Sequence, residues 1–122
     1  MITQVKIACI TVTDQDKALA FYTEKLVFKK VTDAPMGDKG RWIEVAPPEG
    51  STLVALLLPH MEGDKAGGFS NILFTSDDVR KTYDELKERG VQFTEPPKEE
   101  FWGTYTIFAD PDGNQFVLST PK

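Results

Sequence analysis

Few residues in this chain have both the type and the setting to do chemistry. It has one histidine, His60, and one cysteine, Cys9. An imidazole titrates near neutrality and can serve as a general base. His60 stands in Pro59-His60-Met61-Glu62-Gly63, with an acid close by in sequence. A base must also be held by a positioned partner. The sequence places none, so His60 reads as an exposed linker residue. Cys9 lies in an apolar, β-branched run with no cationic neighbour to stabilise a thiolate, so it reads as a small hydrophobe rather than a nucleophile. One histidine and one cysteine also exclude a zinc finger, a His-rich metal centre and CxxC redox chemistry within one chain. Arg41 could pair a ligand carboxylate, with a surface role equally open to it. Asn71 carries an amide that needs partners if buried, and a ligand could supply one. The other candidates are aromatic. Trp42, Phe101, Trp102 and Tyr105 fall close to where strands meet loops. Phe101-Trp102-Gly103 follows Glu99-Glu100 in a loop, where core packing is less expected and contact with a small molecule is favoured.

The elements that must carry these residues fit into 122 residues of net charge −5, which suits one domain, residues 1–122, with a real core and no need of disulfides. The single cysteine cannot form an internal disulfide. An acidic chain without a basic cluster is a poor partner for a phosphate backbone, and Lys29-Lys30 and Arg80-Lys81 both have acids nearby. No stretch approaches the ~20 apolar residues of a membrane span. The N-terminal Met1-Ile2-Thr3-Gln4-Val5-Lys6 lacks a signal peptide's pattern. The expectation is a soluble, cytoplasmic protein that binds neither nucleic acid nor membrane.

Val5 to Val12 reads as a strand. Asp14 can cap the helix that follows. In that helix Ala18, Phe21, Tyr22 and Leu26 form an apolar stripe. Val27 to Val31 is a short strand, 32–40 a loop, and Arg41 to Ala46 and Thr52 to Leu58 are strands with the turn 47–50 between them. The second half repeats the order: strand Asn71 to Ser76, cap at Asp77 and Asp78, stripe Val79, Tyr83, Leu86, then Gly90 where a helix ends in a left-handed residue. A short strand Val91 to Thr94, a loop 95–98, and strands Thr104 to Ala109 and Gln115 to Ser119 follow. Asp110-Pro111-Asp112-Gly113-Asn114 is the turn between the last two. At an offset of 64, Thr11 falls on Thr75, Asp14 on Asp78 and Val27 on Val91; at 63, Ala46 falls on Ala109, Pro48 on Pro111 and Gly50 on Gly113. The shared β-α-β-β-β order is the stronger sign of a repeat. It divides the chain into modules 1–59 and 69–122 with a polar, Gly-rich linker, 60–68.

The segments Ile10–Phe28 (ITVTDQDKALAFYTEKLVF), Leu86–Val91 (LKERGV) and Asp110–Leu118 (DPDGNQFVL) resemble, in order and spacing, the vicinal oxygen chelate superfamily of glyoxalase I, bleomycin-resistance proteins and extradiol dioxygenases. One departure is Val27, where that family commonly has glycine. The resemblance implies an α+β fold: two βαβββ modules forming curled mixed sheets around a concave cavity, with helices on the convex side. In some members modules pair within a chain, and in others across a dimer.

Metal-dependent members of that superfamily place four His, Glu or Gln ligands on concave strands. Carried over by motif, those positions fall on Ile7, near Val54, on Asn71 and on Val117. Ile7 and the valines have no donor, and one neutral amide does not hold a divalent ion. The expectation is therefore no metal and no cofactor. Strand alternation puts Ile7, Cys9, Thr11, Val54, Leu56, Asn71, Leu73, Thr75 and Val117 on concave faces, and Ala8, Ile10 and Val12 against the helix. The expected ligand contacts are Ile7, Cys9, Val54, Leu56, Asn71, Leu73 and Val117 of these concave positions, with Trp42, Phe101, Trp102 and Tyr105. The functional expectation is a metal-free, homodimeric binder of a small, partly aromatic or apolar molecule, with the acidic balance favouring a cation. The alternative is an enzyme of the same superfamily, a lyase, isomerase or dioxygenase.

Overall fold

The computed structural model describes residues 1–50 and 52–121. Among them the chain forms two compact units, Met1–Ala66 and Gly67–Lys122. The first contains β1 (Ile7–Thr11), α1 (Gln15–Ala20), β2 (Lys29–Pro35), β3 (Arg41–Ala46) and β4 (Leu53–Leu57). The second contains β5 (Gly68–Thr75), α2 (Val79–Glu88), β6 (Gln92–Glu100), β7 (Gly103–Ala109) and β8 (Asn114–Pro121). Each unit is one four-stranded mixed sheet, ordered β1-β4-β3-β2 and β5-β8-β7-β6, with one parallel pair and two antiparallel pairs. Strand β5 starts at Gly68, so it takes in the last residue of the expected linker. Strands β2 and β6 run on through 32–35 and 95–100, which the sequence assigned largely to loops. Both are edge strands and both carry register shifts against their partners. An edge strand leaves one row of backbone groups unpaired, so Pro35, Pro96 and Pro97 are tolerated there.

Each helix starts on an aspartate. The Asp14 carboxylate accepts from Lys17 N–H at 3.0 Å, and the Asp78 carboxylate from Lys81 N–H at 3.2 Å. Helix α1 packs on β3 and β4, and α2 on β6, β7 and β8. In the first unit the core on the helix side is Ile10, Val12, Ala18, Tyr22, Ile43, Val45, Val54 and Leu56, all buried. In the second it is aromatic: Phe74, Phe93, Phe108 and Phe116 have ring centroids 5.3–6.2 Å apart, and Tyr83 of α2 meets Phe93 edge-on at 4.6 Å.

The helices end differently. Gly90 takes a φ of 92°, and Val91 N–H donates to Leu86 C=O, closing α2 as a glycine-capped helix. Helix α1 continues as a π-helical turn, Phe21–Lys25, in which Leu26 N–H donates to Phe21 C=O at 3.2 Å. Phe28 N–H then donates to Tyr22 C=O, and Val27 takes the left-handed φ of 62°. Tyr22 matches Leu86 at an offset of 64, but Val27 matches Gly90, and Phe28 matches Val91, at 63. A π-turn is a one-residue insertion in a helix, and here it is where the internal repeat changes register. The expected match of Val27 with Val91 is thereby corrected.

A β-branched residue in the left-handed region is strained by about 1–3 kcal/mol. Val27 is exposed, so little packing opposes its replacement. Val27→Gly should stabilise the protein by about 1 kcal/mol, the strain relief being partly offset by glycine's greater unfolded-state entropy. Urea unfolding would show a higher midpoint at unchanged slope; a lower midpoint would refute the strain.

Candidate ligand-binding faces

Each sheet has one face under its helix and one face away from it, and strand register decides which residues share each. In the first unit Arg41 lies on the helix side, where its guanidinium forks onto Asp33 at 3.0 and 2.9 Å and also bonds Asp16 of α1. The fork holds the Asp33 carboxyl below the usual carboxylate range. Arg41 is thus committed to tying β2 and α1 together. Alternation along β3 puts Ile43 and Val45 on that same side and turns Trp42 and Glu44 to the open face. Val45 pairs with Val54, and Val54 and Leu56 pair with Ala8 and Ile10. The expectation that Val54 and Leu56 lie on a concave, ligand-facing side is corrected: both are on the helix side, almost fully buried. The β4 residues on the face away from the helix are Leu53, Ala55 and Leu57, paired with Ile7, Cys9 and Thr11; Ala55 and Leu57 are buried there too. The run Leu53–Leu57 is apolar at every position, so alternation of polarity could not choose its phase.

The first unit's open face therefore brings together Ile7, Cys9 and Trp42 of the expected contacts. Cys9 is exposed. Across the sheet from it runs the row Cys9, Ala55, Glu44, Thr32. Sequence reasoning missed Glu44. Its signal was present in Arg41-Trp42-Ile43-Glu44-Val45: an acid two residues from a tryptophan in a strand shares that tryptophan's face. The polar side chains of Thr32 and Trp42 beside it hold the Glu44 carboxyl below the usual carboxylate range against the opposing effect of burial; Lys6 adds a weaker pull in the same direction.

The second unit's open face carries Leu73, Tyr105 and Val117, joined by Ile107: Leu73 pairs with Val117, Val117 with Ile107, and Tyr105 with Ser119. Leu73 is 59% exposed. Phe101 and Trp102 form the turn between β6 and β7 and are 85% and 42% exposed, with the Trp102 ring stacked on Tyr105 at 5.3 Å. Asn71 differs from expectation. It is exposed rather than buried, with a left-handed φ of 62°, inside the register shift between Phe69 and Leu73. Asparagine tolerates that backbone conformation, and the bulge removes Asn71 from simple alternation.

His60 has a partner the sequence did not reveal. The Asp64 carboxylate accepts from the backbone N–H of His60 and Met61, and His60 Nδ1 lies 3.3 Å from it and 3.2 Å from Leu58 C=O. These bonds hold the Asp64 carboxyl below its ordinary range. The pair closes a loop beyond β4, outside the sheet.

Two βαβββ units, each a curled mixed sheet with one helix-covered face and one open face, define an α+β protein of the glyoxalase type. The chain belongs to the Glyoxalase/Bleomycin resistance protein/Dioxygenase superfamily, whose family model matches residues 3–118. It is 37% identical over 118 residues to the protein YetH of Bacillus subtilis (strain 168), covering 97% of this chain and 98% of YetH. A superfamily member from Sphaerobacter thermophilus DSM 20745 is 44% identical with a TM-score of 0.91, covering 98% of both chains. TnmS3, an antibiotic binding protein from Streptomyces sp. CB03234, is 36% identical with a TM-score of 0.89, covering 99% of this chain and 98% of that one.

The superfamily's metal can be tested against the side chains present. The positions the resemblance assigns hold Ile7, Asn71 and Val117, and on β4 the residues sharing Ile7's face are Leu53 and Ala55. Asn71 alone has a donor atom, and it is neutral. Among the described residues no group of three or more His, Cys, Asp or Glu side chains could hold a metal ion. This donor set does not fit a divalent cation.

Proposed function

We propose that this protein is a metal-free binder of a small, partly aromatic or apolar molecule, acting as a cytoplasmic homodimer. The observation that carries the reading is the exposure of large apolar side chains on a sheet face that no helix of its own unit covers: Leu73, with Trp102 stacked on Tyr105 at its margin. Exposed apolar clusters of this kind mark binding surfaces in small proteins. The likeness to an antibiotic binding protein supports the same reading. Among the described residues no helix is long and apolar enough to cross a membrane, so the exposed face is not accounted for by a helical membrane span. A thermal-shift and native mass-spectrometry screen against a library of aromatic natural products should yield stoichiometric binders that raise the melting temperature. Uniform silence would overturn the reading. Elemental analysis of protein purified without chelator tests the metal-free part, and light scattering the dimer.

A further inference from the structure

We propose that the outer edge of β2 is a latent self-pairing surface, that the partner it fits is the same edge of a second copy of this chain, and that Lys29 and Lys30 keep the two apart. Strand β2 ends its sheet and pairs with β3 on one side only. An edge strand offers its free row of N–H and C=O groups to any strand that can lie beside it. The residues leading into β2, Leu26-Val27-Phe28, and Val31 within it are types that favour such pairing, and Val27 and Val31 are each 50% exposed. Pro35, which has no N–H to offer, stands only at the far end of the strand. What interrupts the apolar run is the pair Lys29-Lys30, both exposed. Neither is taken up elsewhere. Lys29 forms no ion pair among the described residues, and Lys30 Nζ lies 3.8 Å from an Asp33 carboxylate that Arg41 already holds in a fork. An exposed pair of that length is worth little.

Register explains why two lysines suffice. Identical edges pair antiparallel about a two-fold axis, and residues directly opposite one another point to the same face. An axis through Lys29 or through Lys30 sets that lysine against its own copy, and like charges directly opposite destabilise a strand pair. An axis through Val31 would set Lys29 against Asp33, a favourable pairing of charges. The fold closes that register by another means. Strand β2 shifts against β3 between Lys30 and Thr32, so that Val31 is the extra residue of a bulge. Lys29 is paired with Ala46, on the face away from the helix, and Asp33 with Ile43, on the helix side. Opposite charges on opposite faces do not meet. In the second unit the outer strand β6 carries different guards, Pro96 and Pro97 together with two register shifts.

The test removes the charges and keeps the strand. Lys29→Thr/Lys30→Thr puts two strand-favouring residues on the edge. The full chain is held at about 0.1 mM, within the range where exposed edges associate, and followed by light scattering and thioflavin T fluorescence. Scattering of the double variant should rise at least about fivefold faster than that of wild type, the scale of one relieved like-charge pair. Lys17→Gln/Lys81→Gln, which takes the same two charges from exposed helix positions, should behave as wild type. Adding Val31→Lys to the double variant returns a lysine to the edge at an exposed position and should restore the wild-type rate. Circular dichroism and the urea midpoint show that each variant is folded. A folded double variant that stays as dispersed as wild type overturns the proposal. So does equal aggregation of the helix control, or a rise that Val31→Lys leaves in place. If the double variant does not fold, Lys29→Thr and Lys30→Thr are measured singly, and folded single variants that show no rise overturn it equally.

Discussion

Asp110→Ala is expected to destabilise the protein by about 3–4 kcal/mol, the largest single effect of any substitution outside the apolar core. Asp110 is buried at the turn between β7 and β8. One carboxylate oxygen accepts from Asp112 N–H at 3.0 Å and Asn114 N–H at 2.9 Å, and the other from the Asn114 side-chain amide at 2.9 Å. Asn114, also buried, passes the constraint on: its amide oxygen accepts from the N–H of Gly67, the residue before β5, at 2.8 Å. Removing the carboxylate takes an acceptor from three donors, two of them in buried bonds, and the loss of an acceptor by a buried donor costs about 1–3 kcal/mol before any relaxation. Gly113, at a φ of 81°, fixes the turn's shape independently, so the loss falls on the hydrogen bonds rather than on the turn. Urea unfolding followed by fluorescence and circular dichroism measures it. A loss below about 1 kcal/mol would mean that water replaces the carboxylate, contrary to the burial.

Gln15→Leu is expected to cost about 3 kcal/mol for a related reason. Gln15 is the first residue of α1 and is buried, unusual for a glutamine. Its amide nitrogen donates to Arg41 C=O at 2.6 Å and to Leu56 C=O at 2.8 Å, and its oxygen accepts from Arg41 N–H at 3.0 Å. One side chain thus pins the start of the helix to the backbone of β3 and β4. Gly40 makes room for it: a Cβ there would lie 2.7 Å from the Gln15 amide oxygen and 2.8 Å from Leu58 Cδ1, at a φ of 88°. Leucine has nearly the same volume and removes all three bonds, so the lost stability reports the bonds and not a cavity. Equilibrium unfolding that shows Gln15→Leu within about 0.5 kcal/mol of wild type would refute the pinning role.

Both sites lie in segments with clear local signatures, and they were legible to different degrees. The sequence marks Asp110–Asn114 as a turn because turn chemistry acts within five residues. The caps at Asp14 and Asp78 and the left-handed Gly90 were legible for the same reason. Gln15 was not. Its three partners are 26 and 41 residues away, and nothing in its neighbourhood distinguishes it from a solvated helical glutamine. The β2 and β6 extensions were hidden by prolines, which local rules read as loop and which an edge strand accommodates.

The order of elements, the two-copy organisation and the family were determined by sequence alone, because caps, turns and amphipathic stripes are short-range and recur in both halves. Of the expected contacts, Ile7, Cys9, Trp42, Leu73, Tyr105 and Val117 stand on open faces, and alternation sufficed for those in strands with mixed polarity. The tertiary structure decided the rest. The phase of Leu53–Leu57 depends on which residues of β1 and β3 it pairs with, since every residue in the run is apolar; pairing moved Val54 and Leu56 under the helix and put Ala55 beside Glu44. Asn71 was moved by a bulge that only the facing strand defines. The π-turn before Val27 joins the two classes. The sequence carried it as a change of repeat offset from 64 to 63, and only the backbone hydrogen bonds of the folded helix show where the extra residue goes.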